Sequence, residues 1–449
     1  MIECPLKAAA LEDPDLPAVV APDGSFTYAE LDSLVDGTAV HFERHGRRVA
    51  FQLENGWRSV VLLLAGIRAG RTVCPISTRL PAEAARNQAL AIGAAELGNI
   101  RFDVGKGENR VEIPDDRPST IVFTSGSSGE AKGALHTFAN HYYSAAGSNL
   151  NIPVERGDRW LLSLPLYHVG GIAIVFRCLQ GRGAIILSKK GRPMDEVVAA
   201  SGATHVSMVS TQLRRFLEGA GGTTSLKCVL LGGSSIPPDL IRRAHSEGLP
   251  IHTSYGLTEM ASQVTTTAPG ASLEEIATSG AVLPFRELRV SADGEILVRG
   301  KTRFAGYVNG DGLSTPFVDG GWFPTRDLGF VDAAGRLHVR GRMDNLFISG
   351  GENVIPEEIE AAMLNYPAVL QAVVVPLRDE EFGERPVAFV DTIGGIQEAG
   401  LRDFLAEVLP RFKIPDRFFP WPHPEEGPPM KPNRADFKRR AEKLTSGSI

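Results

Sequence analysis

Six hydroxyl or glycine residues in a row, closely followed by a lysine, can hold a polyphosphate. Thr124-Ser125-Gly126-Ser127-Ser128-Gly129-Glu130-Ala131-Lys132-Gly133 is such a run. Small side chains leave backbone N–H groups bare, so an anion can approach closely. Lys132 stands three residues after Gly129. The common nucleoside-triphosphatase loop instead places its lysine directly after a glycine.

Five further features carry chemistry-bearing side chains. Ser254-Tyr255-Gly256-Leu257-Thr258-Glu259 offers an aromatic face for a base, a hydroxyl for phosphate and a carboxylate for Mg²⁺. His168 lies in the apolar stretch Leu164 to Gly171. Thr325-Arg326-Asp327 offers a carboxylate that could take both hydroxyls of a ribose. Arg177 sits inside the apolar run Gly170 to Leu179, where a cation needs a partner. Lys431 stands in Met430-Lys431-Pro432-Asn433-Arg434 near the C-terminus. Taken singly, each also fits a structural role: a capped helix start, a packed histidine, a turn, a helix-surface arginine, a solvated lysine.

The elements around these residues read as α/β. Ile121-Val122-Phe123 reads as a buried strand before the loop, and Ala134 to Ala146 as a helix after it. Upstream, Thr27 with Glu30 marks a helix start. Val49 to Leu53, Trp57 to Ala69 and Thr72 to Ile76 then read strand, helix, strand. Downstream, Arg159–Leu164, Gly183–Leu187, His205–Val209 and Cys228–Leu231 are strands alternating with helices at Gly170–Gln180, Thr211–Glu218 and Pro238–Ser246. That alternation predicts parallel sheets with ligands at the strand ends. From about Val264, short strands with turns at Asp293-Gly294 and Asp332 to Gly335 predict a small antiparallel subdomain. A helix from Pro356, strands at Val369–Val375 and Arg385–Val390 and a helix at Leu401–Val408 form a last α+β unit. Pro420 to Pro432 is a proline-rich loop.

At 449 residues the chain calls for more than one domain. Its 43% hydrophobic and 22% charged residues are those of a soluble globular protein. A net charge of −6 argues against nucleic acid as a partner. The four cysteines (Cys4, Cys74, Cys178, Cys228) form no CxxC pair, so neither a zinc site nor a disulfide framework is indicated. The first ten residues lack the apolar core of a secretory signal, and no apolar segment is long enough to span a bilayer. A cytoplasmic location is expected.

In content and order these segments resemble the adenylate-forming superfamily of acyl- and aryl-CoA synthetases, adenylation domains and luciferases. The resemblance covers nearly the whole chain. Thr124 to Gly133 matches the family's phosphate loop and Tyr255 to Glu259 its aromatic-Gly-x-Thr-Glu motif. Asp327 matches the ribose aspartate, and Gly341-Arg342-Met343-Asp344 the Gly-Arg-x-Asp hinge. Lys431 matches the catalytic lysine, with Arg434 three residues on. Arg326 stands where the family often has glycine, Ser349 where it often has lysine, and Met430 where it usually has glycine. Phe347 to Asn353, Thr325 to Asp327 and Leu257 to Gln263 are most similar to the o-succinylbenzoate–CoA ligase branch.

The resemblance implies a large N-terminal domain, residues 1–343, of doubly wound α/β subdomains plus a small β-barrel-like subdomain at about 264–343. It implies a smaller, mobile α+β domain, 344–449, hinged at Asp344. The implied reaction is ATP- and Mg²⁺-dependent ligation of a carboxylic acid to coenzyme A through an acyl-adenylate. Thr124, Ser125, Gly126, Ser127, Ser128, Gly129, Lys132 and Thr258 would hold phosphates, and Glu259 would hold Mg²⁺. Gly232, Gly233, Ser234, Tyr255 and Gly256 would flank adenine, with Asp327 and Arg342 at the ribose. Lys431, Thr258 and His168 would be catalytic. His168, Arg177 and Ser254 would meet the acid, and Ser349, Gly350 and Gly351 would meet coenzyme A. The residues leave open another acyl- or aryl-CoA ligase, a carrier-protein adenylation enzyme, a silent nucleotide-binding protein, and a homo-oligomeric state.

Overall fold

The computed structural model describes residues 1–96, 100–105, 107, 109–125, 131–219, 225–233, 236–422 and 433–445. Two large sheets dominate. One has seven strands in the order Gly312–Ser314, Gly306–Asn309, Ala131–Thr137, Pro118–Ser125, Thr72–Ile76, Arg48–Gln52, Ala95–Glu96. The other has nine and is parallel through its centre, from Ile251–Leu257 across Cys228–Leu231, His205–Met208 and Arg159–Leu161 to Ala184–Ile186. Ser262–Thr266 and Ala281–Val282 extend that sheet antiparallel at one edge.

A single apolar cluster joins the sheets through helices. It contains Val49, Val73 and Val122 of the seven-stranded sheet, Val19, Trp160 and Ile185 of the nine-stranded one, and Ile172, Ile174 and Phe176 of the helix Val169–Gly181. Burying a side chain of this size stabilises the fold by about 1.5–3 kcal/mol. The expected helix start at Thr27 forms a full capping box: its side chain accepts from the Glu30 amide, and Glu30 returns a 2.8 Å acceptor to the Thr27 N–H.

The stretch after the phosphate loop corrects the sequence reading. Ala131–Thr137 is a strand, and the helix begins only at Phe138. The strand returns antiparallel on Pro118–Ser125, with Thr124 opposite Lys132 and Ile121 opposite Leu135. Its alanine and leucine content suits a helix, but long-range pairing overrides that local preference. The helix start was signalled by Thr137 and Asn140, whose side chains cap each other's backbone amides. The two strands that flank the expected phosphate-binding stretch are therefore paired with each other.

Arg286–Val290, Glu295–Gly300, Phe323–Val331 and Leu337–Arg342 form a four-stranded antiparallel sheet with that linear order. The barrel-like closure expected from the sequence is not among the described pairings. The C-terminal unit packs helices Pro356–Met363 and Glu398–Val408 onto the strands Val369–Asp379 and Gly383–Thr392. It has its own core, which includes Val354, Ile359, Val374 and Leu401.

Candidate active site

The turn Thr258–Met260 is the centre of the arrangement. It connects Ile251–Leu257 to Ser262–Thr266, and the two strands approach so closely at Gly256 that a Cβ would lie 2.3 Å from the Ser262 carbonyl oxygen. Glycine is therefore required there. The turn is held by His136 Nε2, which donates to the Thr258 carbonyl at 2.7 Å. Burial alone keeps His136 neutral, pulling its pKa down to about 4. The Glu259 carboxylate is buried, which raises its pKa, and it accepts a 2.5 Å hydrogen bond from the Tyr307 hydroxyl. Lys132 Nζ lies 5.5 Å from the centre of the same tyrosine ring. Tyr307 and His136 belong to neighbouring paired strands, Gly306–Asn309 and Ala131–Thr137. Neither was singled out in the sequence, where each sits in an unremarkable alternating segment.

Glu259 fits a magnesium ligand. It is a desolvated carboxylate with no ion-pair partner among the described residues, beside a segment suited to phosphate. No group of three or more His, Cys, Asp or Glu able to hold a metal ion occurs among the described residues. Mg²⁺ needs no such cage, since it binds through one or two carboxylates with phosphate and water oxygens.

A second group lies at the end of the four-stranded sheet, where Leu337–Arg342 runs into the turn Met343–Asn345. The Tyr255 hydroxyl donates to Asp327 Oδ2 at 2.6 Å, and Arg342 Nη1 donates to Asp327 Oδ1 at 2.8 Å. Arg342 Nη2 reaches Asp344 at 3.0 Å, and Arg326 grips the other oxygen of Asp344 at 2.8 and 3.0 Å. Tyr255, Asp327, Arg342 and Asp344 are thus brought together as one network. Arg326 has φ 64°, the left-handed conformation that glycine adopts without penalty, which gives a physical reason for the glycine common at this position.

A third group is buried deeper. Arg177, on the helix Val169–Gly181, is 1% exposed. One Nη donates to Gln263 Oε1 at 2.6 Å and to Ser262 Oγ at 3.3 Å, and the guanidinium lies 5.1 Å from the Trp160 ring centre. Its Nε is buried without a hydrogen-bond partner, and Arg177 forms no ion pair among the described residues. Burial pulls its pKa down to about 10, so it remains charged at neutral pH. Arg286 lies near it, is lowered to about 9 by burial and then by the Arg177 charge, and donates to backbone carbonyls of Gln263, Pro284 and Ser144.

His168 caps the start of the Arg177 helix, packed edge-on against Tyr167 at 4.8 Å. Burial, with a smaller contribution from Arg79, lowers its pKa. Nine residues of helix separate it from Arg177, roughly 13 Å of rise and half a turn of rotation. No described hydrogen bond or ring contact joins the two. Ser254 Oγ donates to the Leu231 carbonyl at 2.8 Å, and a Cβ on Gly232 would meet that Oγ at 2.7 Å, so Gly232 and Ser254 pack directly together. Gly233 has φ 83°.

In the C-terminal unit, Ser349 is buried and Gly350 and Gly351 have φ 60° and 86°, forming the two-residue turn between Phe347–Ser349 and Glu352–Val354. Arg434 is tied to Glu360 and Glu357 of the helix Pro356–Met363 and to the Val374 carbonyl. Gly126, Ser127, Ser128, Gly129, Ser234 and Lys431, and the side chain of Ser125, lie outside the described residues.

Residues 6–97 and 93–308 match the family model of AMP-binding enzymes, and 358–423 match the AMP-binding enzyme C-terminal domain. The chain is 31% identical to the 2-succinylbenzoate–CoA ligase of Bacillus cereus over 92% of this chain and 93% of the relative. The o-succinylbenzoate CoA synthetase of Bacillus subtilis, solved in complex with the acyl-adenylate intermediate OSB-AMP, superposes with a TM-score of 0.84 at 29% identity, covering 94% of this chain and 95% of that one. The same enzyme in complex with ATP and magnesium ion gives 0.84 at 30%, covering 93% and 95%.

Proposed function

The chain belongs to the family of AMP-binding enzymes, and we propose that it ligates o-succinylbenzoate to coenzyme A through an acyl-adenylate, releasing pyrophosphate and then AMP. Arg177 carries the choice of acid: it is a fully buried cation facing only neutral partners among the described residues. o-Succinylbenzoate has two carboxylates. The succinyl one is activated, and the aromatic one supplies the counter-charge that Arg177 lacks, with His168 and Ser254 as further acid contacts.

In the first half-reaction the succinyl carboxylate oxygen attacks the α-phosphorus of ATP. The bond to the β-phosphate breaks, and pyrophosphate leaves. Positioning and charge stabilisation do most of the work in such transfers. Lys132 and the loop from Thr124 to Gly129 hold the β- and γ-phosphates, and the Thr258 hydroxyl meets the α-phosphate. Glu259 would hold Mg²⁺, which when bound would neutralise phosphate charge. Tyr255, Gly256 and the Gly232-Gly233-Ser234 segment flank adenine. Asp327 takes the ribose hydroxyls beside Arg342. Lys431 bridges the attacking carboxylate and the α-phosphate.

In the second half-reaction the thiol of coenzyme A attacks the acyl carbonyl. The carbon–oxygen bond to AMP breaks, and the thiol proton passes to solvent. The domain of residues 344–449 turns about Asp344, withdrawing Lys431 and bringing Ser349, Gly350 and Gly351 to the coenzyme A path. No helix among the described residues is long and apolar enough to cross a membrane. We place the reaction in the cytoplasm.

A CoA-ligation assay with o-succinylbenzoate beside benzoate and a short fatty acid tests this reading. Preferential thioester formation with o-succinylbenzoate is expected. Preference for either other acid would assign the chain to a different acyl- or aryl-CoA ligase activity.

A further inference from the structure

Tyr307 makes two contacts that converge on one task. Its hydroxyl donates to Glu259 Oε1 at 2.5 Å, and its ring lies beneath Lys132 Nζ at 5.5 Å. The hydroxyl is the donor of that bond, since an ionised carboxylate only accepts. It therefore occupies one lone pair of Oε1 and restricts the carboxylate's rotation. The backbone of Glu259 is held by the same segment: the Phe304 N–H donates to the Glu259 carbonyl at 2.8 Å. Phe304 also packs edge-on against the Tyr307 ring at 4.8 Å.

The strand carrying Tyr307 is not independent of the phosphate hairpin. Tyr307 pairs with Ala134, Val308 with Gly133 and Gly306 with Leu135. Lys132 is the next residue along that hairpin strand. Tyr307 is thus tied through backbone pairing to the strand that bears Lys132.

We propose that Tyr307 is a positioning residue for adenylation, holding the Glu259 carboxylate in the orientation that receives Mg²⁺ while its ring supports Lys132 against the β- and γ-phosphates. The proposal rests on the reading of Glu259 as the metal ligand. A tyrosine that only filled space would need neither the acceptor on Glu259 nor the cation on its face. A hydrogen bond to a charged group contributes enough for its loss to weaken Mg²⁺-assisted binding about tenfold to a hundredfold.

The test is ATP binding to the full-length chain by calorimetry, with Mg²⁺ and with EDTA, in the absence of acid. Tyr307→Phe is expected to shrink the Mg²⁺-dependent gain in ATP affinity about tenfold or more while leaving affinity in EDTA unchanged. Tyr307→Leu is expected to lower affinity in EDTA as well, because Lys132 loses its ring. Glu259→Asp, which withdraws the carboxylate without touching Tyr307, is expected to reproduce the loss seen in Tyr307→Phe. In a Glu259→Gln background, Tyr307→Phe should add nothing. A wild-type Mg²⁺ gain in Tyr307→Phe, with the gain abolished in Glu259→Gln, overturns the role of Tyr307 and leaves Glu259 as the ligand. A wild-type gain in Glu259→Gln overturns the reading of Glu259, and the proposal with it.

Discussion

Arg177 and Arg286 lie in the interior, where they meet carbonyls, an amide oxygen, hydroxyls and an indole but no carboxylate among the described residues. Arg326 and Arg342, at the domain junction, are matched against Asp327 and Asp344. Burial depresses the first pair to about 10 and 9, whereas the carboxylates beside Arg342 outweigh its partial desolvation and raise it. The same side chain thus serves two ends. A guanidinium whose counter-charge is built into the fold holds the local architecture. One whose counter-charge is withheld is available to a ligand that brings its own.

The largest expected effect tests the withheld charge. Arg177→Ala should raise KM for o-succinylbenzoate by roughly a hundred- to several-thousandfold, since losing one partner of a buried ion pair costs about 3–5 kcal/mol, while KM for ATP changes little. An unchanged KM for the acid would remove Arg177 from the site. Next is a control outside both arginine groups. Lys431→Ala should slow adenylation on the order of a hundred- to a thousandfold and spare thioester formation from supplied acyl-adenylate. Equal loss in both steps would reject the assignment of Lys431.

Stability separates the two regions without substrate. The depressed pKa of Arg177 means that folding favours its neutral form. Below about pH 10 the native state must carry the charge, so the residue costs stability at neutral pH, and the cost fades as pH rises through about 10 toward the unfolded value. A shift of this size corresponds to on the order of 3 kcal/mol, so Arg177→Met should raise the denaturation midpoint as it abolishes acid binding. Arg342→Met should lower the midpoint, because it removes one charged hydrogen-bond donor from each of Asp327 and Asp344. Chemical denaturation at pH 7 compares them directly, and destabilisation of equal size would erase the distinction. The smallest effect is expected for Arg326→Gly. Relief of a left-handed non-glycine residue offsets loss of an exposed ion pair, leaving stability within about 1 kcal/mol by the same measurement. A loss of several kcal/mol would make that ion pair structural.

Much of this was legible in residue order. The Thr27 capping box, the strand Thr72–Ile76 and the helix Pro238–Ser246 follow local rules and stand where those rules put them. Tyr255, Asp327 and Arg342 are grouped by the resemblance alone, and the structure joins them through hydrogen bonds that no local sequence rule announces. The hairpin strand Ala131–Thr137 was misread because nothing local distinguishes its apolar residues from a helix; pairing with Pro118–Ser125 decides it. Tyr307 and His136 escaped for a related reason. Each acts on the turn Thr258–Met260 across a large gap in sequence, and only the sheet brings them there.

Discrimination by the aromatic carboxylate bears directly on the role of Arg177. Acyl-CoA formation should be measured with o-succinylbenzoate and with 4-oxo-4-phenylbutanoate, which keeps the succinyl arm and lacks the aromatic carboxylate, in the wild type and in Arg177→Ala. The account predicts that the wild type prefers o-succinylbenzoate by about a hundredfold or more in kcat/KM and that Arg177→Ala erases the preference. Equal use of the two acids by the wild type would contradict it.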